Sequence, residues 1–249
     1  MPSIRLLLNQ LNSVKGIRFN ESQIKKTLDE EFDVAIFPEM FYSGYLTRDN
    51  VNLLLLDGKF IDYLQDRIGE RMIIFGAPFR DRFLYNAAVS ITEDDVKVYR
   101  KIHLPNFGPF EELRYFTKGD SPLTINFKGF KIGIEICYDL FFGDSVERGI
   151  DLLVNISASP FTSYPFFERV FPARAIENQS YLAYVNTVGL QRNQVFWGGS
   201  RVLDPDGKDI LRLKNFEEDR GTADIDSEVL EFSRRKRRVL SEALQDAEE

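Results

Sequence analysis

Phe130–Pro160 reads FKIGIEICYDLFFGDSVERGIDLLVNISASP and carries the only cysteine of the chain, Cys137. The alternating Ile132, Ile134 and Ile136 predict a strand with one buried face, because successive strand side chains point to opposite sides. At Cys137 the apolar run stops and a polar turn begins, which is where a side chain leaves a sheet. Leu152 to Ile156 follows as a fully apolar strand of the buried type. By itself a lone cysteine reads as a small buried hydrophobe. Two other stretches change that reading. VAIFPEMFYSGY holds Glu39 and VYRKIHLPNFGPFEELRYF holds Lys101, each at the end of a predicted strand. A carboxylate, an ammonium and a thiol so placed can meet at one rim of a sheet and do nucleophilic chemistry.

Composition narrows the classes. At 249 residues the chain suits one large domain, taken as 1–249, with a substantial buried core. A net charge of -7, from 39 acidic and 32 basic residues, disfavours binding to nucleic acid. The amino-terminal MPSIRLLLNQLNS lacks the length and cleavage site of a secretory signal, and no apolar stretch reaches the roughly 18 residues of a membrane helix. A cytoplasmic location is expected, with no membrane partner. The single histidine, His103, rules out a metal site built on two or three imidazoles, and the single cysteine rules out a four-thiolate zinc site. His103 itself reads as structural. The G-x-S-x-G, P-loop and G-x-G-x-x-G signatures are absent.

In chain order, Ile4 to Leu8 reads as a strand, Asn20 to Phe32 as a helix capped by Asn20, and Val34 to Phe37 as a second strand, a βαβ-like start. Phe41 to Tyr45 is an aromatic, glycine-bearing loop. A helix near Lys59 to Ile68 and a strand from Arg71 to Pro78 come next. Leu84 to Tyr99 suits a hairpin around Glu93, Asp94 and Asp95, and its second arm delivers Lys101. Pro105 to Gly119, with Glu111, Glu112, Arg114, Tyr115 and Phe116, reads as a pocket wall. Leu123 to Phe127 and Lys131 to Ile136 form another hairpin. Further expectations are a short helix at Asp144 to Gly149, a longer one at Phe167 to Gln179, and strands at Tyr181 to Thr187 and Phe196 to Leu203. A turn at Asp204 to Gly207 follows, then a last strand pair, Asp209 to Leu213 with Gly221 to Ile225, and a helical tail from Ser227 to the end. The basic run Arg234 to Arg238 reads as a solvated helix face or a subunit contact. Many strands among a few long helices fit a layered α/β protein.

A thiol needs a base or a nearby cation before it attacks. Glu39 can supply the base and Lys101 the positive charge. Attack on an amide carbonyl puts negative charge on oxygen, which an ammonium and the backbone N–H of Tyr138 would stabilise. The carboxylate can hand its proton to the departing amine and later activate water.

These residues resemble the nitrilase, or carbon-nitrogen hydrolase, superfamily over nearly the whole chain. The signatures are FPEMFYSGY with Glu39, YRKIHLPNFGPFEELRYF with Lys101 and GIEICYDL with Cys137, supported by LVNISASP, ARAIENQSYLAYVNTVG and FWGGSRVLDPDGK. The resemblance implies a four-layer αββα sandwich, commonly paired across helices into an eight-layer dimer, and no metal or organic cofactor. It implies Glu39 as general base, Lys101 as oxyanion stabiliser and Cys137 as nucleophile, with Glu112 positioning substrate beside the lysine. Tyr45, Phe110, Tyr115, Tyr138, Phe161 and Trp197 are the aromatic candidates for the pocket wall. After ICYDL many members continue Arg-Phe-Pro-Glu where this chain has Phe141-Phe142-Gly143-Asp144. HLPNFGPFEELRYF with NISASPF leans toward the glutaminase parts of glutamine-dependent NAD synthetases. Tyr138, however, stands where those have a glutamate, and no synthetase domain is expected after Glu249. The expected function is therefore a free-standing amidohydrolase that cleaves a small linear amide through a thioester. The alternatives are an ammonia-supplying glutaminase subunit for a separate synthetase, an acyl transferase, and an inactive dimeric binding protein of the same fold.

Overall fold

Period-two patterning becomes strands whose two faces enter different layers. In this computed structural model, which describes residues 2–45 and 48–245, β1 (Ser3–Gln10) turns Ile4, Leu6 and Leu8 to one side and Leu7 to the other. β2 (Val34–Ile36) and β3 (Met72–Arg80) do the same, with Val34, Ile36, Met72 and Ile74 on the first side and Ala35, Ile73 and Phe75 on the second. These three strands are parallel. β4 (Leu84–Ile91) and β5 (Val96–Arg100) extend the sheet antiparallel beyond β3, and β14 (Asp219–Asp226) closes the other edge against β1.

The second six-stranded sheet repeats this plan, with order β13-β12-β9-β8-β7-β6. β6 (Leu123–Phe127) and β7 (Phe130–Ile136) form the hairpin, and β8 (Leu152–Ser157) and β9 (Tyr181–Asn186) run parallel to β7. A small two-stranded ribbon, β10 (Val188–Gln191) with β11 (Gln194–Trp197), precedes β12 (Arg201–Leu203) and β13 (Asp209–Arg212). Ile132, Ile134, Ile136, Leu152, Val154 and Ile156 meet the inner side chains of the first sheet in one core. Each such aliphatic side chain, fully buried, stabilises the fold by about 1.5–3 kcal/mol.

Helices cover the outer faces. α1 (Ile17–Thr27) and α2 (Gly58–Ile68) lay Ile24, Phe60, Leu64 and Ile68 on the outer side of the first sheet. α4 (Tyr164–Asn178), the helix after the short α3 (Glu112–Tyr115), brings Phe167, Phe171 and Ala175 to the second sheet, against Tyr184. The result is an α/β sandwich of two sheets between helices.

Several boundaries differ from expectation. Gly16, at φ 91°, precedes α1, and Asn20 lies inside the helix with its amide donating to the carbonyls of Ser13 and Tyr42. The expected helix at Asp144 to Gly149 is loop, and a one-turn 3-10 helix forms instead at Cys137–Phe141. Phe196 to Leu203 is not one strand: Gly198 and Gly199, both at positive φ, break it. Asp209 to Leu213 and Gly221 to Ile225 do not pair as expected, since β13 joins β12 in one sheet and β14 joins β1 in the other. The basic run is less solvated than expected. Arg234 binds Asp151 and the carbonyl of Ile150, and Arg237 binds Asp206, clamping α5 (Ser227–Lys236) to the second sheet's loops. α6 (Val239–Gln245) follows, and the last four residues of the expected helical tail, 246–249, lie outside the described residues. Among the described residues no helix is long and apolar enough to cross a membrane.

Candidate active site

The parallel strands end on the same rim, which is where open α/β sheets place ligands. Glu39 follows β2, Cys137 follows β7, and Lys101 follows β5. All three are buried, together with Glu112 at the start of α3. Lys101 Nζ donates to Glu39 Oε1 and to Glu112 Oε1, both at 2.8 Å. Asn86 on β4 donates to Glu39 Oε1 at 2.7 Å and, more weakly, to Glu112 Oε2 at 3.4 Å. The other Glu39 oxygen accepts from the Ala158 backbone N–H at 2.7 Å, so that carboxylate is held from three directions. Tyr45 donates its hydroxyl to Glu112 Oε1 at 2.5 Å.

The electrostatics follow from burying two acids around one base. Burial works against the Lys101 ammonium, but Glu112 and Glu39 outweigh it and hold its pKa above the usual lysine range. Burial raises Glu112 to about 7, with Lys101 opposing the rise and Glu39 adding to it. The Cys137 thiol is pushed well up, first by burial and then by Glu39 and Glu112, against the pull of Lys101 and Ser157. Two carboxylates leave the lysine little net positive field at the sulfur. The cysteine is therefore held as a thiol, and any nucleophilic role for it would require a base that takes the proton.

Cys137 has φ 49°, a conformation that L residues rarely adopt. Asp139 fixes this turn relative to the lysine strand. Its carboxylate accepts from the N–H of Ile136 at 3.2 Å, the N–H of His103 at 2.7 Å and the hydroxyl of Tyr99 at 2.8 Å. His103 has a structural setting, with its ring stacked on Phe142 and Nε2 2.7 Å from Asp144.

The Glu39 segment rests on β3. Gly76 N–H donates to the Pro38 carbonyl at 3.0 Å and its carbonyl accepts from Tyr42 N–H at 3.0 Å. A Cβ at Gly76 would lie 2.1 Å from the Met40 nitrogen and 2.6 Å from Glu39 Cα. Gly76→Ala is expected to displace Glu39, costing about 1–3 kcal/mol of stability through overpacking. Denaturant titration checks the stability, and a changed rate of Cys137 alkylation checks the displacement.

A cavity of about 420 Å3 opens beside Cys137. Of the expected wall residues, Phe110 and Tyr138 line it. Tyr45 stands behind Phe110, edge-on at 6.4 Å, and Tyr115 packs in the same cluster with Met40 and Phe196. Phe161 is half exposed against Tyr164 and Phe216 and does not line the cavity. Trp197 is wholly internal, stacked on Tyr184 and covering Gly199, where a Cβ would fall 1.9 Å from its ring. It belongs to the core and not to this wall. The loop expected as a pocket wall also supplies Phe107, and the wall residues not foreseen are Phe141, Phe166 and Phe167, with the hydroxyls of Ser159, Thr162 and Ser163. Phe166, 59% exposed on a helix that already buries Phe167 and Phe171, carried a signal in its excess of apolar surface. Asn86 carried another, as an amide within an apolar strand.

Two facing sheets with an acid–lysine–acid cluster and a thiol at their rim define an α/β-sandwich protein of the nitrilase fold. The crystal structure of XC1258 from Xanthomonas campestris, a CN-hydrolase superfamily protein with an arsenic adduct in its active site, superposes with a TM-score of 0.88 at 25% identity over 97% of each chain. Residues 13–235 match the carbon-nitrogen hydrolase family model, and the chain belongs to that family. It is 37% identical over 244 residues to a glutamine-dependent NAD(+) synthetase of Aquifex aeolicus, covering 90% of this chain but 42% of that protein. It is 30% identical over 220 residues to a nitrilase of Pyrococcus abyssi, covering 83% and 81%. The chain thus spans less than half the length of the synthetase it matches.

Proposed function

We propose that this chain hydrolyses a small uncharged amide through a Cys137 thioester. The observation that carries the reading is the shared burial of Glu39, Lys101 and Glu112 around a thiol that opens on a cavity. As the sulfur bonds to the carbonyl carbon, Glu39 takes the thiol proton. Lys101 and the N–H of Tyr138 stabilise the oxyanion. Glu39 then protonates the departing nitrogen, the C–N bond breaks and ammonia or an amine leaves. Water attacks the thioester while Glu39 takes its proton, and return of that proton to sulfur releases the carboxylic acid. Glu112, held by Tyr45 and Asn86, keeps Lys101 in place.

The cavity wall favours an apolar acyl group, since among the described residues it presents phenylalanine rings, prolines, the Cys137 thiol and four hydroxyl side chains, Tyr138 included, but no charged group. A second reading, hydrolysis of glutamine to supply ammonia to a synthetase, is supported by the similarity to the Aquifex protein. The test is ammonia release from neutral aliphatic and aryl amides and from glutamine, by wild type and Cys137→Ala. Neutral amides are expected to be turned over with kcat/KM about tenfold or more above glutamine, since each missing counter-charge is a substantial desolvation cost. A preference for glutamine would transfer the assignment to the second reading. Equal turnover by both proteins would remove the thioester route.

A further inference from the structure

Glu135 lies on β7 two residues before Cys137, on the strand face opposite Ile134 and Ile136, and is fully buried. The reaction scheme gives it no part. Its Oε1 is 3.0 Å from Ser145 Oγ, and its Oε2 has no hydrogen-bond partner among the described residues. Asn155, opposite it in the strand register, is close enough to favour the charged form without meeting Oε2 at hydrogen-bonding geometry. Arg174 on α4 also favours the charge, but its guanidinium is bound to the Leu140 carbonyl and Glu177. Asp139 on the one-turn helix opposes it, and the Tyr99 hydroxyl from β5 is within its field.

Ser145 has one hydroxyl proton and three oxygens around it. Besides Glu135, the carbonyls of Asp139 and Phe142 lie at 2.9 and 3.3 Å. A carbonyl can only accept, so the serine proton is best spent on Asp139, and the contact with Glu135 is then satisfied by a proton from the carboxyl group. A neutral acid also explains how Oε2 stays buried without a partner.

We propose that Glu135 is a positioning residue held as a neutral carboxylic acid, whose proton binds Ser145 and so leaves Ser145 to hold the Cys137–Phe141 turn by the Asp139 carbonyl. Loss of that proton turns the serine hydroxyl toward the carboxylate, frees the carbonyl and loosens the turn that presents the thiol. Burial, with Asp139, raises this carboxyl to about 8, so the change falls on the alkaline side of neutrality. The proposal rests on the reading of Cys137 as nucleophile, but one of its readouts does not need turnover.

The experiment follows kcat/KM for a neutral amide, and separately the rate of Cys137 alkylation by iodoacetamide, from pH 6 to 10 in wild type, Glu135→Gln and Ser145→Ala. Wild type is expected to show an inflection near pH 8 in both readouts. Glu135→Gln, which keeps a neutral donor, should retain activity within about threefold at pH 7 and lose that inflection. Ser145→Ala removes the hydroxyl that turns to the carboxylate once the proton is lost, so its inflection should move up. If the inflection of Ser145→Ala stays at the wild-type position or moves down, the serine hydroxyl does not turn to the carboxylate, and the proposal is overturned. It is equally overturned if wild type and Glu135→Gln share one profile. Should Glu135→Gln fail to fold, the direction of the Ser145→Ala shift decides. Absence of amide turnover with the alkylation inflection intact would sink the hydrolase reading and leave this one standing.

Discussion

Cys137→Ala is expected to lower amide turnover by on the order of 10^4–10^6-fold, the scale seen when a covalent nucleophile is removed from an otherwise intact site. The fold should survive, because the buried side chain loses one sulfur and the cluster of Glu39, Lys101 and Glu112 keeps every hydrogen bond. A third protein separates chemistry from strain. At φ 49° both cysteine and alanine occupy the left-handed region, which costs a residue with a Cβ about 1–2 kcal/mol. Glycine does not bear that cost. Cys137→Gly should therefore be as inactive as the alanine variant yet unfold at equal or higher denaturant, although it removes more buried surface. Denaturant midpoints for the two variants, with ammonia release alongside, check both statements. A glycine variant much less stable than the alanine one would mean that the turn carries no strain.

How much of this was legible in the sequence depends on the range of the force involved. Period-two isoleucines at 132, 134 and 136 and the leucines of β1 reported their faces directly, because one side of each strand meets the other sheet. Asn20 was misleading for the opposite reason. By local rules it is a helix cap, but here it lies inside the helix and its amide nitrogen donates to the carbonyls of Ser13 and Tyr42, the second of which is folded back from the Glu39 segment. β13 and β14 looked like partners because they are neighbours in sequence. Their true partners are β12 and, more than 200 residues away, β1, as in the Ile4 to Ile225 register. Glu39, Lys101 and Cys137 were readable as strand-end residues; Asn86 showed only as an amide in an apolar strand with nothing to name its partners, and the Ala158 N–H did not show at all. One is a polar residue hidden in an apolar strand and the other is backbone, which has no sequence signature. The same limit applies to Trp197, an aromatic candidate for the wall whose ring instead packs inside over Gly199.

Lys101→Met is expected to cost at least about 10^3-fold in turnover, since it removes an oxyanion donor and the tether of Glu39 at once. Its larger lesson is in stability. The substitution leaves the Glu39 and Glu112 carboxylates facing each other in a buried site, and breaking a buried pair in this way costs about 3–5 kcal/mol. Part of that loss is recoverable by protonation, and the sign can be worked out. Burial already raises Glu112 to about 7 with the lysine present, and without the ammonium it must rise further. An acid whose folded pKa is raised contributes stability below its unfolded value, about 4.3, and loses it as pH climbs through the folded value. The deficit of Lys101→Met relative to wild type should thus be small near pH 5 and grow steadily toward pH 9. Unfolding free energies of both proteins across that range provide the measurement. A deficit independent of pH would mean that the lysine's methylenes matter more than its charge, and that the two acids are not confronting one another across the site.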